Sequence, residues 1–587
     1  MQLARQSCVR GAVSCAWASV LDDTDGPGRV SALTVLFRPS RSSTHHLGAL
    51  ALLGAFVAGP GFAQDLPDVD RILSGQTVIL QRYAPPPEVG RVAIGVEDER
   101  DRIDFDRAKS IRFQLRSLRV DGAQTLPLSA LTPIWQGRVG AEITLADLYR
   151  TADAVDAAYL AAGYFSKTVV PVQDYADGRI RLQVFEGYVD RIEIESDIPG
   201  IETRLAPYLQ RILNMHPIRV KAAERELLLM SDLAGLLIEG TFVRPEGATG
   251  GGLLRLEIAQ NRSEGMIGLD NLGSDSVGPI QMASGVTFND ALRRFETTNL
   301  TGVITPQHPD RMSLVQMMQS YPIGSSGLSA GYSFVYLRQH PKGGAGAPDI
   351  DVTSAMGTAF LSYPFLRTLD RSLWGQAELT VRNDDVDISS SAAVRSRTRW
   401  ATLSLQYSQS FETSEINLEG AVNLGTASNI DMGTVPGDFR FVSAELDYTK
   451  GLSETTSMTL RARGQYSGRS LPGAVQFGVG GETYGWAFDS GTISGDKGAA
   501  VSAQVSHEID TGLALLPTLS TSAFVDYGAV WSNDVPGRMH LGSYGVGLGG
   551  TIGERLDFQV IGALPWTHSD IVDDPGGKLI FQLAMPF

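Results

Sequence analysis

Met458-Thr-Leu-Arg-Ala-Arg-Gly-Gln-Tyr466 sorts its residues by parity: Met458, Leu460, Ala462, Gly464 and Tyr466 alternate with Thr459, Arg461, Arg463 and Gln465. Successive side chains of a strand point to opposite faces, so this stretch is a β-strand with one apolar and one strongly polar face. A soluble sandwich or barrel also alternates, with its apolar face inward and its polar face wet. Here Arg and Gln crowd one face while Gly, Ala and aromatics take the other, a division that suits lipid outside and a hydrated lumen inside.

The same texture runs from about Arg262 to Phe587. Leu373, Gly375, Ala377, Leu379 and Val381 alternate with Gln376, Glu378, Thr380 and Arg382, and Ile416, Leu418, Gly420, Val422 and Leu424 alternate with Asn417, Glu419 and Asn423. Gly, Asp, Asn, Ser and Pro separate these segments. The last of them, Leu579-Ile-Phe-Gln-Leu-Ala-Met-Pro-Phe587, puts Leu579, Phe581, Leu583, Met585 and Phe587 on one face. Roughly 20 residues per strand and turn divide this region into about sixteen antiparallel strands, within the range of transmembrane β-barrels. Beyond Ala63 no run reaches the roughly 18–20 apolar residues of a membrane helix.

Upstream the period changes. Residues 64–111 hold a short amphipathic helix over Asp70–Gln81, then Pro85-Pro86-Pro87, which enforces an extended linker. Residues 112–188 read as strand 113–120, helix 126–136, a helix opened by Thr144 with Leu148, Ala152, Val155, Tyr159 and Leu160 on one face, and strands 167–172 and 179–185. Residues 189–261 repeat the plan: strand 189–195, helices 202–213 and 221–229, strands 236–243 and 253–259. Two small α+β repeats therefore precede the barrel, each leaving an open sheet edge.

Composition excludes other classes. The 587 residues carry a net charge of −16, so no basic surface is available to neutralise phosphates, and nucleic acid is not a partner. Eight scattered histidines supply no metal site. The two cysteines, Cys8 and Cys15, both precede a basic flank at Arg38 and Arg41, the apolar run Leu47–Phe62 and the small-x-small end Gly61-Phe62-Ala63 before Gln64. That pattern makes 1–63 a leader with a signal peptide, and the exported chain free of thiols; a buried helix or membrane anchor is the alternative. Asp22, Asp23 and Asp25 do not fit a signal peptide's basic front, and they point to a true start downstream of Met1. Gly327-Leu-Ser-Ala-Gly331 matches a nucleophile elbow, and Gly545, Gly547 and Gly550 match a dinucleotide fingerprint. Neither has the helix that its chemistry requires, so the chain is not read as an enzyme and no cofactor is expected.

Four stretches carry a resemblance to a known family: Val184-Phe-Glu-Gly-Tyr-Val-Asp-Arg-Ile192 at the junction of the repeats; Pro217-Ile-Arg-Val220 with Glu224-Arg-Glu-Leu-Leu-Leu-Met-Ser-Asp-Leu233; Leu269-Asp-Asn-Leu-Gly-Ser274; and Gly485-Trp-Ala-Phe-Asp-Ser-Gly-Thr-Ile-Ser-Gly-Asp-Lys-Gly498. Over residues 65–587 the chain resembles the haemolysin secretion/activation transporters of two-partner secretion, which join polypeptide-transport-associated (POTRA) domains to a barrel.

The resemblance implies a plug helix and linker in 64–111, POTRA domains at 112–188 and 189–261 in the periplasm, a POTRA junction at Glu186, Gly187 and Tyr188, and an outer-membrane barrel at 262–587 ending in the signal residue Phe587. It implies a lumen loop carrying Gly485, Trp486, Ala487, Phe488, Asp489, Gly495 and Asp496, facing Phe524 and Asp526 on the wall. In the family an arginine of this loop pairs with the wall aspartate; here Trp486 holds the arginine's place and Ala487 that of the following glycine. Two outcomes are open: Lys497, Arg461 or Arg463 supplies the missing cation, or Trp486 packs on Phe488 and the wall. The implied partners are a large secreted protein of adhesin, haemolysin or toxin type, outer-membrane lipid, and the barrel-assembly machinery during biogenesis. A barrel-assembly insertase and a porin-like channel are the alternatives.

Overall fold

The computed structural model describes residues 102–243, 249–342, 349–388, 394–429, 437–553 and 555–587, the backbone of short strands at Leu33–Val35 and Arg91–Glu97, and the helical residues Leu73, Gln76, Thr77 and Arg82. Both cysteines, the expected signal peptide and the triple-proline linker lie outside the described residues. Two compact units emerge: Arg262–Phe587 with the four helical residues, and Val89–Asn261.

In the smaller unit, Thr144 opens the helix Leu145–Ala161 with a reciprocal capping box, its Oγ accepting from Asp147 N–H while the Asp147 carboxylate accepts from Thr144 N–H. The helix buries Leu148, Ala152, Val155 and Tyr159 against Ile180, Leu182 and Val184 of the strand Arg179–Glu186; Leu160 is only half-buried. Three elements differ from expectation, one of them the strand expected over 167–172, which runs as Ser166–Val169 and stops ahead of Pro171, a residue with no N–H to donate. The strand expected over 113–120 splits into Arg112–Gln114 and Ser117–Asp121, because Leu115 N–H donates to Ala141 O and Arg116 N–H turns away to Gly178 O. The helix expected over 126–136 breaks into Leu128–Leu131 and Pro133–Gln136, since a proline cannot donate the hydrogen bond that would continue the first turn. The second repeat follows as Tyr188–Glu195, Ile201–Leu213, Val220–Ser231, Leu236–Val243 and Gly251–Gln260. Its sheet is extended by Arg91–Glu97, which pairs parallel to Leu236–Val243 along its whole length.

The larger unit is a closed barrel of sixteen strands among the described residues, running from Ser263–Asp270 to Lys578–Pro586, each antiparallel to its neighbours. Its parity is that of a membrane barrel: Leu379 and Leu403 are 65% and 64% exposed on the outside, whereas Arg382, Asp384 and Thr398 are at most 1% exposed within. In the strand Thr456–Tyr466, Leu460 and Tyr466 face out and Gln465 is buried in the lumen. No helix among the described residues is long and apolar enough to cross a membrane.

The first and last strands close the cylinder through Met266–Asp270 against Gln582–Pro586. Asn271 lengthens that seam with its side chain, its Oδ1 accepting from Phe581 N–H and its Nδ2 donating to Leu579 O, both at 2.8 Å. The amide thereby stands in for a further pair of ladder bonds. Ser329 opens the strand Ser329–Gln339 and Gly545, Gly547 and Gly550 lie within Met539–Ile552, so neither glycine motif has a helix after it.

Candidate functional site

Between the strands Thr456–Tyr466 and Lys497–Leu513, the chain folds back into the lumen as a loop over residues 467–496. Two three-residue strands, Phe477–Val479 and Ile493–Gly495, pair as its stem. Phe477, Val479, Tyr484, Ala487, Phe488 and Ile493 then bury in one apolar cluster with wall residues that include Phe524, Leu541 and Ile561. Glycines make the seat. The Phe477 ring lies against Gly498 and Val479 against Gly528, where a β-carbon would collide with them. At the tip, Gly485 adopts a φ of +114° and leaves no room for a β-carbon between Leu541 and the Gly480 backbone.

The structure brings most of the loop residues named from the sequence against the wall. Trp486 packs on Phe524 with ring centroids 5.9 Å apart, and Phe488 presents to His568 at 6.2 Å; the expected Trp486–Phe488 stack is absent among the described contacts. Ala487 is buried, and Gly495 backs onto the Trp531 main chain. Asp496 is buried and accepts from Leu471 N–H and Asn533 N–H, both at 2.7 Å, with desolvation pushing its carboxyl up. Asp489 lies at the exposed edge, 2.8 Å from Lys578 Nζ.

Asp526 is 1% exposed and accepts from Ser543 N–H at 3.0 Å and Ser543 Oγ at 2.5 Å, and the N–H groups of Gly485 and Trp486 face the same carboxylate. None of the three expected cations is its partner among the described residues. Lys497 sits over the Tyr466 ring at 5.4 Å, Arg461 pairs with Asp447 at 2.9 Å, and Arg463 donates to Gly478 O at 2.7 Å. Amide and hydroxyl donors therefore surround this buried carboxylate in place of a counter-ion.

The sequence reading missed further contributors. Arg382 and Asp384 form an ion pair at 2.8 Å on the inner wall, and Arg382 also donates to Thr77 Oγ at 2.6 Å and to Leu73 O at 3.3 Å. Ser354 Oγ donates to Gln76 Oε1, and Gln76 Nε2 donates to Gln339 Oε1. Arg82 bridges to Glu482 of the loop at 2.9 Å, and Gln582 of the last strand donates to the same glutamate at 2.7 Å. The Arg-x-Asp parity of 382 and 384 was visible in the sequence, but nothing local announced a helix some 300 residues upstream as its partner.

In the smaller unit, Glu186, Gly187 and Tyr188 lie where the two repeats meet. Glu186 accepts from Gln124 N–H, Thr125 N–H, Thr125 Oγ and Tyr159 OH at 2.6–2.8 Å. Burial alone would raise its carboxyl, but these donors hold it below the ordinary range. Gly187 N–H donates to Phe165 O and Gly187 O accepts from Ile218 N–H, both at 2.8 Å, while Val220 N–H reaches back to Gly163 O at 2.9 Å. Tyr188 N–H donates to Gly250 O, the Tyr188 ring lies 4.4 Å from that of His216, and Phe165 stacks on Phe242 at 5.3 Å. Backbone bonds in both directions make the repeats one body at this joint. In the barrel, Phe587 exchanges two 2.9 Å backbone bonds with Gly265, and its ring lies over that glycine.

Comparison with known proteins gives two family matches. Residues 255–550 match the haemolysin secretion/activation protein ShlB/FhaC/HecB, and residues 113–187 match the ShlB-type POTRA domain. Among solved structures, CdiB from Escherichia coli aligns with a TM-score of 0.66 at 19% identity, covering 81% of this chain and 91% of its own. CdiB from Acinetobacter baumannii aligns with a TM-score of 0.58 at 18% identity, covering 88% and 98%. BamA from Haemophilus ducreyi lacking POTRA domains 1–3 gives 0.50 at 14% identity, covering 81% and 100%. At these identities the likeness is one of fold. No curated protein matches the chain.

Proposed function

Since the chain belongs to the haemolysin secretion/activation family and is an outer-membrane translocator of two-partner secretion, we propose that it takes up one large unfolded partner in the periplasm through its POTRA repeats and passes it through the barrel. The observation that carries this reading is the filling of the lumen. Leu73, Gln76, Thr77 and Arg82, and the loop over 467–496, occupy the inner wall through side-chain hydrogen bonds and ion pairs rather than through strands of the cylinder. Such segments can leave without opening the barrel's ladder. We read the helix as the resting plug and the loop as a second closure.

Recognition fits strand addition, in which main-chain bonds supply affinity and neighbouring grooves supply selectivity. Ser166–Val169 is an edge of its three-stranded sheet, and Arg91–Glu97 lies along the neighbouring repeat as an added strand. Folding of the partner outside the cell then biases movement outward, with no nucleotide needed. The partner is of adhesin, haemolysin or toxin type, and the nascent barrel is inserted by the assembly machinery that reads its terminal Phe587. Co-expression with a large exported protein encoded nearby tests the reading: the partner reaches the medium only with this chain present. Equal export in its absence refutes it.

A further inference from the structure

We propose that the lumen loop is latched from the wall side: Arg463, a barrel residue, is the positioning residue that holds the loop seated. This rests on the translocator reading only for its consequence, since the seating itself is a property of the barrel.

Arg463 projects inward from the strand Thr456–Tyr466, directly across the ladder from Glu445. Its guanidinium is clamped by loop residues. The carbon at its centre lies 4.6 Å from the Phe477 centroid and 5.3 Å from the Tyr484 centroid, and one terminal nitrogen donates to Gly478 O at 2.7 Å. A planar cation between two ring faces and a carbonyl is a geometry that guanidinium satisfies better than ammonium. One lumen-facing step along the same strand, Gln465 donates to Val475 O at 3.2 Å. Two adjacent inward side chains thus grip the stem of the loop, and the ring that Arg463 covers is the one seated against Gly498.

The polarity is the reverse of a loop cation meeting a wall carboxylate. In this chain the loop offers aromatic faces and carbonyls, with Trp486 at position 486 and the wall aspartate already satisfied by Ser543. The cation therefore sits on the wall. Arg461 makes the contrast. It shares the strand, the parity and the charge, yet its bond runs sideways to Asp447 within the wall.

Ser494 reports on the seating, being fully buried in the loop's second stem strand. Full-length protein in liposomes, carrying Ser494→Cys with Cys8→Ser and Cys15→Ser, is labelled with a membrane-impermeant maleimide. Arg463→Ala is expected to speed labelling by at least about tenfold, the scale of one cation–π contact alone. Arg463→Lys is expected to fall between, and Arg461→Ala to match the parent. Heat-modifiable migration in gels confirms a folded barrel in each variant, and the Phe477→Leu, Tyr484→Leu double variant separates an unseated loop from a misfolded wall by keeping Arg463. The proposal is overturned if Arg463→Ala labels at the parental rate, or if Arg461→Ala accelerates labelling equally. Because no cargo enters the measurement, it stands or falls independently of secretion.

Discussion

The α/β repeat at 112–188 and the barrel lumen are both interiors, built on opposite terms. In the repeat, Leu148, Val155, Tyr159, Ile180 and Leu182 are buried against one another, and the few polar groups buried beside them, such as Asp156 bonded to Ser166 and Thr168, are a minor part of that interior. In the lumen, Arg382, Asp384, Thr398 and Gln465 are among the buried groups, and leucines such as Leu379 and Leu403 face outward. A helix face and a strand face together build the first and strand alternation alone the second, and in the strands of both only the identity of the solvent decides which parity becomes the interior. An apolar interior is non-directional and resists emptying. A polar one is held by individual bonds, each of which water or a passing chain can replace, and it suits a space that must be vacated. The loop is intermediate: its apolar residues lie on a local patch of Phe524, Leu541 and Ile561, and polar grips hold its stem.

Breaking the polar interior should have the larger effect. Arg382→Ala strands Asp384 and removes two bonds to the upstream helix, a loss of about 3–5 kcal/mol for a buried pair broken on one side. Bilayer recordings are expected to show more frequent opening, and the Arg382→Ala, Asp384→Ala double variant should recover part of the loss, since no lone charge remains. In the repeat, Leu182→Ala removes a fully buried side chain and is expected to destabilise by about 2–5 kcal/mol. Hydrogen exchange of the full-length protein should rise across 112–188 while heat-modifiability of the barrel is unchanged. Leu403→Arg sharpens the contrast from outside: this residue is 64% exposed, and a soluble surface would accept the change, whereas a lipid face loses about 2–4 kcal/mol near the bilayer midplane. Folding into vesicles measures that loss.

Much of this division was legible in the residues. The parity of 458–466 and 373–382 identified lipid and lumen faces, because membrane strands expose the rule at every position. Thr144 announced its helix through a local capping pair. What escaped the reading was non-local. The strand switch at Leu115 and Arg116 depends on Ala141 and Gly178, and the partner of Asp526 is Ser543, a hydroxyl with no charge to betray it. The seat of the loop left a trace that was passed over: at Val560-Ile561 and Leu579-Ile-Phe581 both parities are apolar, because there the inner face meets the loop instead of water.

Glu186 tests the comparison from the other direction, as a carboxylate held by discrete bonds inside a unit built mainly on apolar burial. Its folded carboxyl is depressed below the ordinary 4.5 because donors from Gln124, Thr125 and Tyr159 together outweigh desolvation. A depressed acid contributes its stability in full above its unfolded value and loses it as pH falls through the folded one. The repeat should therefore keep this contribution at neutral pH and lose it progressively below pH 4.5. Glu186→Gln keeps the shape but weakens the charge-assisted bonds, at about 1 kcal/mol once solvent screening is allowed for. Protease protection of 112–188 in the full-length protein should then be lower than the parent's at pH 7 and approach it as pH falls below 4.5. A constant gap across that range would mean that Glu186 acts through packing alone.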